Sequence, residues 1–229
     1  MHKKTQVSET YDQMFLEDEQ SNVFSLHYRY SPYYPLFKAV RSAMKKLNAQ
    51  SVLEVGCGTG GLAHLLIETT KVKYKGFDFS PVAIDKARER TNIHDQTFWV
   101  SDAFDMDYGL IDFDTIICTE VLEHLEKDIE IVEKWRHGCN CICSVPNFDS
   151  AYHVRYFDNE EDVLKRYGEL IKINSIKRVK KPFLNNLYFK HFLMALVWNR
   201  YRPKRLLHIL GLSNFEEIGG WFLFEGQKL

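Results

Sequence analysis

Residues 52–61 read VLEVGCGTGG, Val52 through Gly61. A short β-like run, Ser51–Val55, enters a cluster of glycines, and Leu62–Ile67 continues with helical character. Gly56, Gly58 and Gly61 satisfy GxGxxG, while Gly56, Gly58 and Gly60 satisfy GxGxG. In either case a strand runs through a tight turn into a helix N-terminus, where missing side chains let a ligand approach backbone amides. A purely structural strand-to-helix turn is a fair competitor, so the flanking sequence has to discriminate.

Outward from that turn the chain alternates. Val72–Phe77 predicts a strand ending at Asp78. Ser80 and Pro81 start a helix as N-cap and first helical residue, and Val82–Arg90 carries it on. Thr97–Ser101 predicts a strand ending at Asp102, Phe113–Cys118 a fourth and Cys139–Val145 a fifth, closed by Pro146. Leu122, Leu125, Ile129 and Val132 follow the 3-4-3 spacing of an amphipathic helix. This βαβα rhythm predicts an α/β, doubly wound, mainly parallel sheet with helices on both faces. Leu36–Leu47 has a helical pattern, so residues 1–47 read as an aromatic, helical cap and 48–229 as the main domain. A cofactor half at 48–150 is then followed by an acceptor-side half at 151–229. In the second half, 157–171 is predicted helical, 172–181 a strand, 185–210 a basic and aromatic helical insertion, and 220–229 a last strand.

Composition excludes several classes. With 229 residues, 45% apolar and 27% charged, the chain supports one packed domain and is not disordered. A formal charge of −1 gives the whole molecule no preference for nucleic acid or membrane. The charge is uneven, however: from Lys165 to Arg205 there are twelve Lys/Arg and one acid, Glu169. Such asymmetry hints at an anionic partner, although a solvated basic surface is commoner. Cys139, Cys141 and Cys143 alternate and point to one side of their strand, as core thiols in a reducing, cytoplasmic compartment. The polar N-terminus gives the expectation of no signal peptide, and the longest apolar run, Phe192–Trp198, is far short of the ~20 residues that span a bilayer.

Asp78, 22 residues beyond Gly56, is placed to accept both hydroxyls of a ribose, and Asp102 adds an acid on the same sheet edge. Glu54 separates the candidate ligands. An acid two residues before the first glycine is awkward beside a pyrophosphate, but suits a ligand with an ammonium group. That disfavours a dinucleotide oxidoreductase.

The segments VLEVGCGTGGLAHLL, GFDFSPVAIDKAR, SDAFDM and FDTIICTEVLEHL together resemble the class I S-adenosylmethionine-dependent methyltransferases, in that family's order and spacing. The resemblance covers about half the chain, roughly residues 48–150. It implies a seven-stranded Rossmann-like sheet with its last strand antiparallel. It also implies that Gly56, Gly58 and Gly60 line the methionine moiety of S-adenosylmethionine, with Glu54 near its amine. Asp78 would hold the ribose, Phe79 flank the adenine, Asp102 with Ala103 read its edge, and Thr119 contribute to the same cofactor site.

CTEVLEHL, Cys118–Leu125, places Glu120, Glu123 and His124 at helical spacing on one face, opposite the leucine stripe and therefore outside the core. Acids at a helix N-terminus are favoured by its dipole, which is the plain reading. The motif also resembles two branches of the family, the ubiquinone-biosynthesis O-methyltransferases and the small-RNA terminal 2′-O-methyltransferases. Those branches imply a divalent metal, Mg²⁺ or Mn²⁺, on Glu120, Glu123 and His124, with His153 as a fourth ligand. Without a metal, His124 and His153 are the candidate catalytic bases.

The expected reaction is O-methylation of a small-molecule, quinol or lipid-linked, or sugar-like acceptor. The runners-up are an RNA 2′-O-methyltransferase, disfavoured by the absence of a recognisable RNA-binding module, and a non-catalytic cofactor-binding subunit. Arg155 is expected to pair with a substrate anion or with an acid in Asp158–Asp162. Tyr28, Tyr30, Tyr33 and Tyr34 are candidates for an aromatic lid. The 185–210 insertion is open to three readings: peripheral membrane contact, RNA contact or a homodimer contact.

Overall fold

The computed structural model describes residues 8–17, 24–182 and 189–229. Seven strands form one sheet: β1 (Ser51–Val55), β2 (Lys73–Asp78), β3 (Phe98–Val100), β4 (Thr115–Cys118), β5 (Asn140–Pro146), β6 (Ile171–Lys180) and β7 (Gly220–Lys228). Their order is β3-β2-β1-β4-β5-β7-β6, and β7 alone is reversed, antiparallel to both β5 and β6. This is the Rossmann-like architecture that the sequence predicted.

The strands have the period of two that a sheet covered on both faces requires. Leu53, Val55, Ile116, Cys118, Cys141, Cys143, Phe222 and Phe224 bury into one layer. Val52, Ile117, Ile142, Trp221 and Leu223, interleaved with them, bury into the other. The first layer is closed by α5 (Asp128–Lys134), α6 (Glu160–Tyr167) and α9 (Phe215–Ile218). The second is closed by α2 (Tyr34–Lys46), α3 (Gly61–Thr69) and α4 (Pro81–Thr91). Cys118, Cys139, Cys141 and Cys143 are free thiols inside the first layer. Ser80 caps α4 as expected, accepting from the Ala83 amide at 3.0 Å.

Two helical expectations are corrected. The 157–171 helix shrinks to α6, because Asn159 caps its start, accepting from the Asp162 amide at 3.0 Å, and Ile171 already belongs to β6. After β4 no helix begins at Glu120. Glu120 takes a left-handed φ of 58°, a 3₁₀ turn covers only Leu122–His124, and α5 starts at Asp128. The 185–210 insertion is two helices, α7 (Phe189–Trp198) and α8 (Pro203–Ile209), while 185–188 lie outside the described residues. The N-terminal segment adds α1 (Ser8–Leu16), and no helix among the described residues is long and apolar enough to cross a membrane.

Arg155 serves the fold rather than a ligand. It donates to the Leu122 carbonyl at 2.6 Å and the Glu126 carbonyl at 2.9 Å, and pairs at 3.2 Å with Asp128, an acid outside the expected 158–162 stretch. Asp128 is fully buried and also accepts from Arg166 Nε at 2.8 Å and the Tyr167 hydroxyl at 2.7 Å. Removing one partner from a buried charge network leaves the others uncompensated. Asp128→Ala is therefore expected to cost about 3–5 kcal/mol of unfolding free energy, checked by urea denaturation.

Candidate active site

The glycine loop, Asp78, Thr119 and the segment after β5 all lie at the C-terminal edge of the parallel strands, where ligands gather in such sheets. Gly56 and Gly58 have φ of 67° and 51°, a region that side-chain-bearing residues avoid. A Cβ on Gly56 would meet Val121 Cγ2 at 2.4 Å, whereas one on Gly58 would meet nothing within 4 Å. The first glycine is thus demanded by packing, and the second faces open space on the ligand side.

Asp78 fixes the loop. Its carboxylate accepts from the Gly58 amide at 2.9 Å and the Ser80 amide at 3.0 Å. Burial pushes its pKa up to about 6, against the pull of those amides. Glu54, on the same sheet face as Val52, is buried and accepts from the Tyr74 hydroxyl at 2.5 Å. Burial pushes it up to about 8. Asp102 is exposed and caps its own turn, accepting from the Phe104 amide at 2.8 Å, while the Tyr108 hydroxyl donates to the Ala103 carbonyl at 3.1 Å. The Ser101 amide donates to the Asp78 carbonyl at 3.0 Å, which holds this turn beside the end of β2.

The second cluster differs most from expectation, which had it outside the core. Glu123 is fully buried, and neither of its carboxylate oxygens has a hydrogen-bond partner among the described residues. Oε1 of Glu120 is equally buried and unpartnered. The physical reason is tertiary. The Glu120 amide donates to the Ser144 hydroxyl of β5 at 3.2 Å, and the Glu123 carbonyl accepts from the Val154 amide at 2.8 Å. These bonds draw the 3₁₀ turn inward. Donor atoms of Glu123, His124 and His153 lie within 4.8 Å of one another. His124 Nδ1 is 3.0 Å from the Tyr152 carbonyl and His153 Nδ1 is 3.2 Å from the Phe148 carbonyl. Those carbonyls fix the proton on Nδ1 and the lone pair on Nε2 of each ring.

Electrostatics mark the same place. Burial, then the neighbouring Glu120, holds Glu123 well above the ordinary carboxylate range, and burial pushes Glu120 to about 7. Burial also lowers His124 to about 4, so its ring is neutral at physiological pH. Lys181 beside Glu120 and Arg155 beside Glu123 pull the other way without offsetting burial, so the two adjacent carboxylates are disposed to hold a proton or a cation. The grouped donors are one carboxylate and two imidazoles, a set a divalent ion of the Mn²⁺ kind accepts; Glu120, expected as a ligand, lies outside the group whose donor atoms come within 4.8 Å of one another.

Tyr11 of α1 carries no sequence signal of its own beyond membership of an aromatic-rich segment. It closes the space between the two clusters, edge-on to Phe79 at 5.2 Å and to His124 at 5.9 Å between ring centroids. Its hydroxyl is buried without a hydrogen-bond partner among the described residues. Burial, then Glu123 and Asp78, raises its pKa. Of the four tyrosines expected as a lid, Tyr33 is the one whose pKa feels Glu120 and Glu123. Tyr28 instead bonds Glu68 of α3. A second donor group, His27, His64 and Glu68, also lies within 4.8 Å. Its Glu68 is already taken by Tyr28, and Arg29 donates to that same hydroxyl, so it reads as a polar clamp of the N-terminal segment on α3.

A family model described as "Methyltransferase domain" matches residues 46–193. The small RNA 2′-O-methyltransferase of Arabidopsis thaliana is similar, 29% identical over 122 residues, or 46% of this chain; the chain spans 13% of that protein's length. Among solved structures, the N-methyltransferase NodS of Bradyrhizobium japonicum, in complex with S-adenosyl-L-homocysteine, superposes with a TM-score of 0.60 at 15% identity, over 96% of this chain and 97% of that one. The methyltransferase domain of bacterial CtHen1-CN gives 0.56 at 16%, over 87% and 100%. At these identities the two structures testify to the fold.

Proposed function

The chain belongs to the methyltransferase-domain family and is an S-adenosylmethionine-dependent methyltransferase; from that premise we propose that it methylates an oxygen of a small acceptor bearing adjacent hydroxyls, sugar-like or quinol-like. The observation that carries this reading is the unpartnered, buried Glu123 carboxylate with the His124 and His153 donors around it. A sulfonium methyl is already activated, so an N-acceptor needs little beyond alignment. A hydroxyl must in addition lose its proton, and this site is built of groups that take protons or a cation.

Glu54 and Asp78 orient the amine and ribose of the cofactor beneath the glycine loop, with Phe79 against its adenine and Asp102, Ala103 and Thr119 completing the contact. Tyr11 and Tyr33 exclude water above the reacting atoms. The acceptor oxygen attacks the methyl carbon, the carbon–sulfur bond breaks, and its electron pair stays on sulfur as S-adenosylhomocysteine forms. With no cation bound, the hydroxyl proton passes to Nε2 of His124, which is neutral and able to receive it. Glu123, His124 and His153 would hold a divalent cation, which when bound supplies Lewis acidity toward a hydroxyl.

The test is a thermal-melt matrix on EDTA-stripped protein with S-adenosylhomocysteine, Mn²⁺, or both, paired with methylation of catechol and sugar diols. A ligand that binds only the folded state raises stability in proportion to its occupancy. We expect a shift from S-adenosylhomocysteine, a further shift from Mn²⁺, and methylation of a diol but not of its deoxy analogue. An S-adenosylhomocysteine shift with no response to Mn²⁺ overturns the metal and leaves His124 as base. A second reading, 2′-O-methylation at an RNA end, draws on the similarity to the Arabidopsis enzyme. A ribose end also presents adjacent hydroxyls, and transfer to RNA but to no small diol would establish it.

A further inference from the structure

Helices α7 and α8 form an arm that leaves the sheet after Lys180 and returns at Gly220, residues paired with each other across β6 and β7. Its apolar side chains are largely uncovered: Trp198 is 74% exposed, Tyr201 82%, Val197 54% and Leu212 66%. Scattered exposed apolar residues are ordinary, but a run of them on one protruding element marks an interaction surface. Between Phe189 and Leu212 the sequence holds five Lys/Arg and no acid. Arg200, Arg202, Lys204 and Arg205 are exposed, and the Arg200 guanidinium lies 4.7 Å from the centre of the Tyr201 ring.

We propose that this arm docks on an anionic lipid surface, with Trp198, Tyr201 and the aliphatic residues entering the interface and the arginines and lysine meeting the phosphates. Three features select that partner. Aromatic side chains with basic neighbours suit the headgroup level of a bilayer. Exposed valine and leucine gain nothing from stacking on bases, which argues for acyl chains over nucleic acid. A second copy would set the same acid-free, basic patch against itself across a two-fold axis, which like charges oppose.

The arm stands at the edge that carries the candidate active site, since Pro146, at the end of β5, pairs with Trp221 at the start of β7. Bound in this way, it would present the Glu120–Glu123 cluster to an acceptor carried on a lipid, a corollary that rests on the function proposed above. The docking itself does not.

The experiment is flotation of the full chain with phosphatidylcholine vesicles, with and without phosphatidylglycerol. It is repeated for Trp198→Ser/Tyr201→Ser and for Arg200→Glu/Arg202→Glu, with the S-adenosylhomocysteine melting shift as a folding control. Expected are co-flotation only with the anionic vesicles and a loss of about tenfold or more in each double variant, with the melting shift retained. No co-flotation, or equal binding to neutral vesicles, overturns the proposal. So does a chain that sediments as a dimer broken by Trp198→Ser/Tyr201→Ser, or binding of an RNA oligonucleotide that displaces vesicles. A missing melting shift in the parent chain counts against the cofactor reading and leaves the flotation result legible.

Discussion

Glu123→Leu is expected to cut methyl transfer by orders of magnitude while making the ligand-free protein more stable. The wild-type carboxyl is fully buried with two unpartnered oxygens, and a buried polar group without partners costs about 1–3 kcal/mol. Leucine has similar bulk and no polar atom, so the substitution recovers part of that cost. Transfer should fall by about 10²–10⁴, the range of lost acid–base assistance, because the carboxylate that would hold the cation beside the acceptor oxygen is gone. Glu123→Gln separates the two effects. It keeps the shape and leaves an unsatisfied amide, so activity falls with no gain in stability.

A pH series adds a sign. Glu123 in the folded chain holds its proton above the ordinary carboxylate range, so the folded state binds more protons than the unfolded one as pH rises out of that range. Ligand-free stability must then decline with rising pH. The decline should be shallower in Glu123→Leu, read as urea midpoints at several pH values. A leucine variant that is less stable than wild type, or one that still transfers methyl groups, would sink this account.

What the sequence revealed and what it hid follow the range of the forces involved. The strands, the glycine turn and the Ser80–Pro81 helix start were legible because each is decided by neighbours a few residues away: the two-residue period, the positive φ of Gly56, the Ser80 cap. The CTEVLEHL segment was misread because 0-3-4 spacing is a local signal and its outcome is set from afar. The Ser144 hydroxyl, on the neighbouring strand, and the Val154 amide bind this segment's backbone and turn Glu123 into the protein. Helical spacing puts these residues on an outer face, and the fold puts Glu123 inside. Burial, absent from the helical reading, is what perturbs their protons and gives the cluster its chemistry. Tyr11 escaped for the same reason. It lies in a segment without a clean period, and only the docking of α1 puts it against Phe79 and His124. For Arg155 the sequence points to a substrate anion or an acid in Asp158–Asp162, whereas it pairs with Asp128, at the start of α5.

Asp78→Asn should weaken S-adenosylhomocysteine binding by about a hundredfold and also loosen the glycine loop. Two carboxylate oxygens now serve two amide donors, Gly58 and Ser80. Asparagine offers one acceptor, and its NH₂ must face the other N–H, donor against donor. If the ribose hydroxyls bind the remaining lone pairs, two hydrogen bonds to a charged group are weakened, at about 1.5 kcal/mol each or about two decades in Kd. Proton release gives an independent check. Asp78 is raised to about 6 and Glu54 to about 8 in the ligand-free chain. Ribose hydroxyls and an ammonium group favour the ionised form of each, so binding should expel protons and affinity should rise with pH, the Asp78 share up to about pH 6 and the Glu54 share up to about pH 8. Calorimetry in buffers of different ionisation enthalpy measures that release directly. Asp78→Asn should remove the lower-pH part of the release and leave the part due to Glu54. An unchanged proton count in the variant would place the ribose elsewhere and leave Asp78 as a brace for the loop alone.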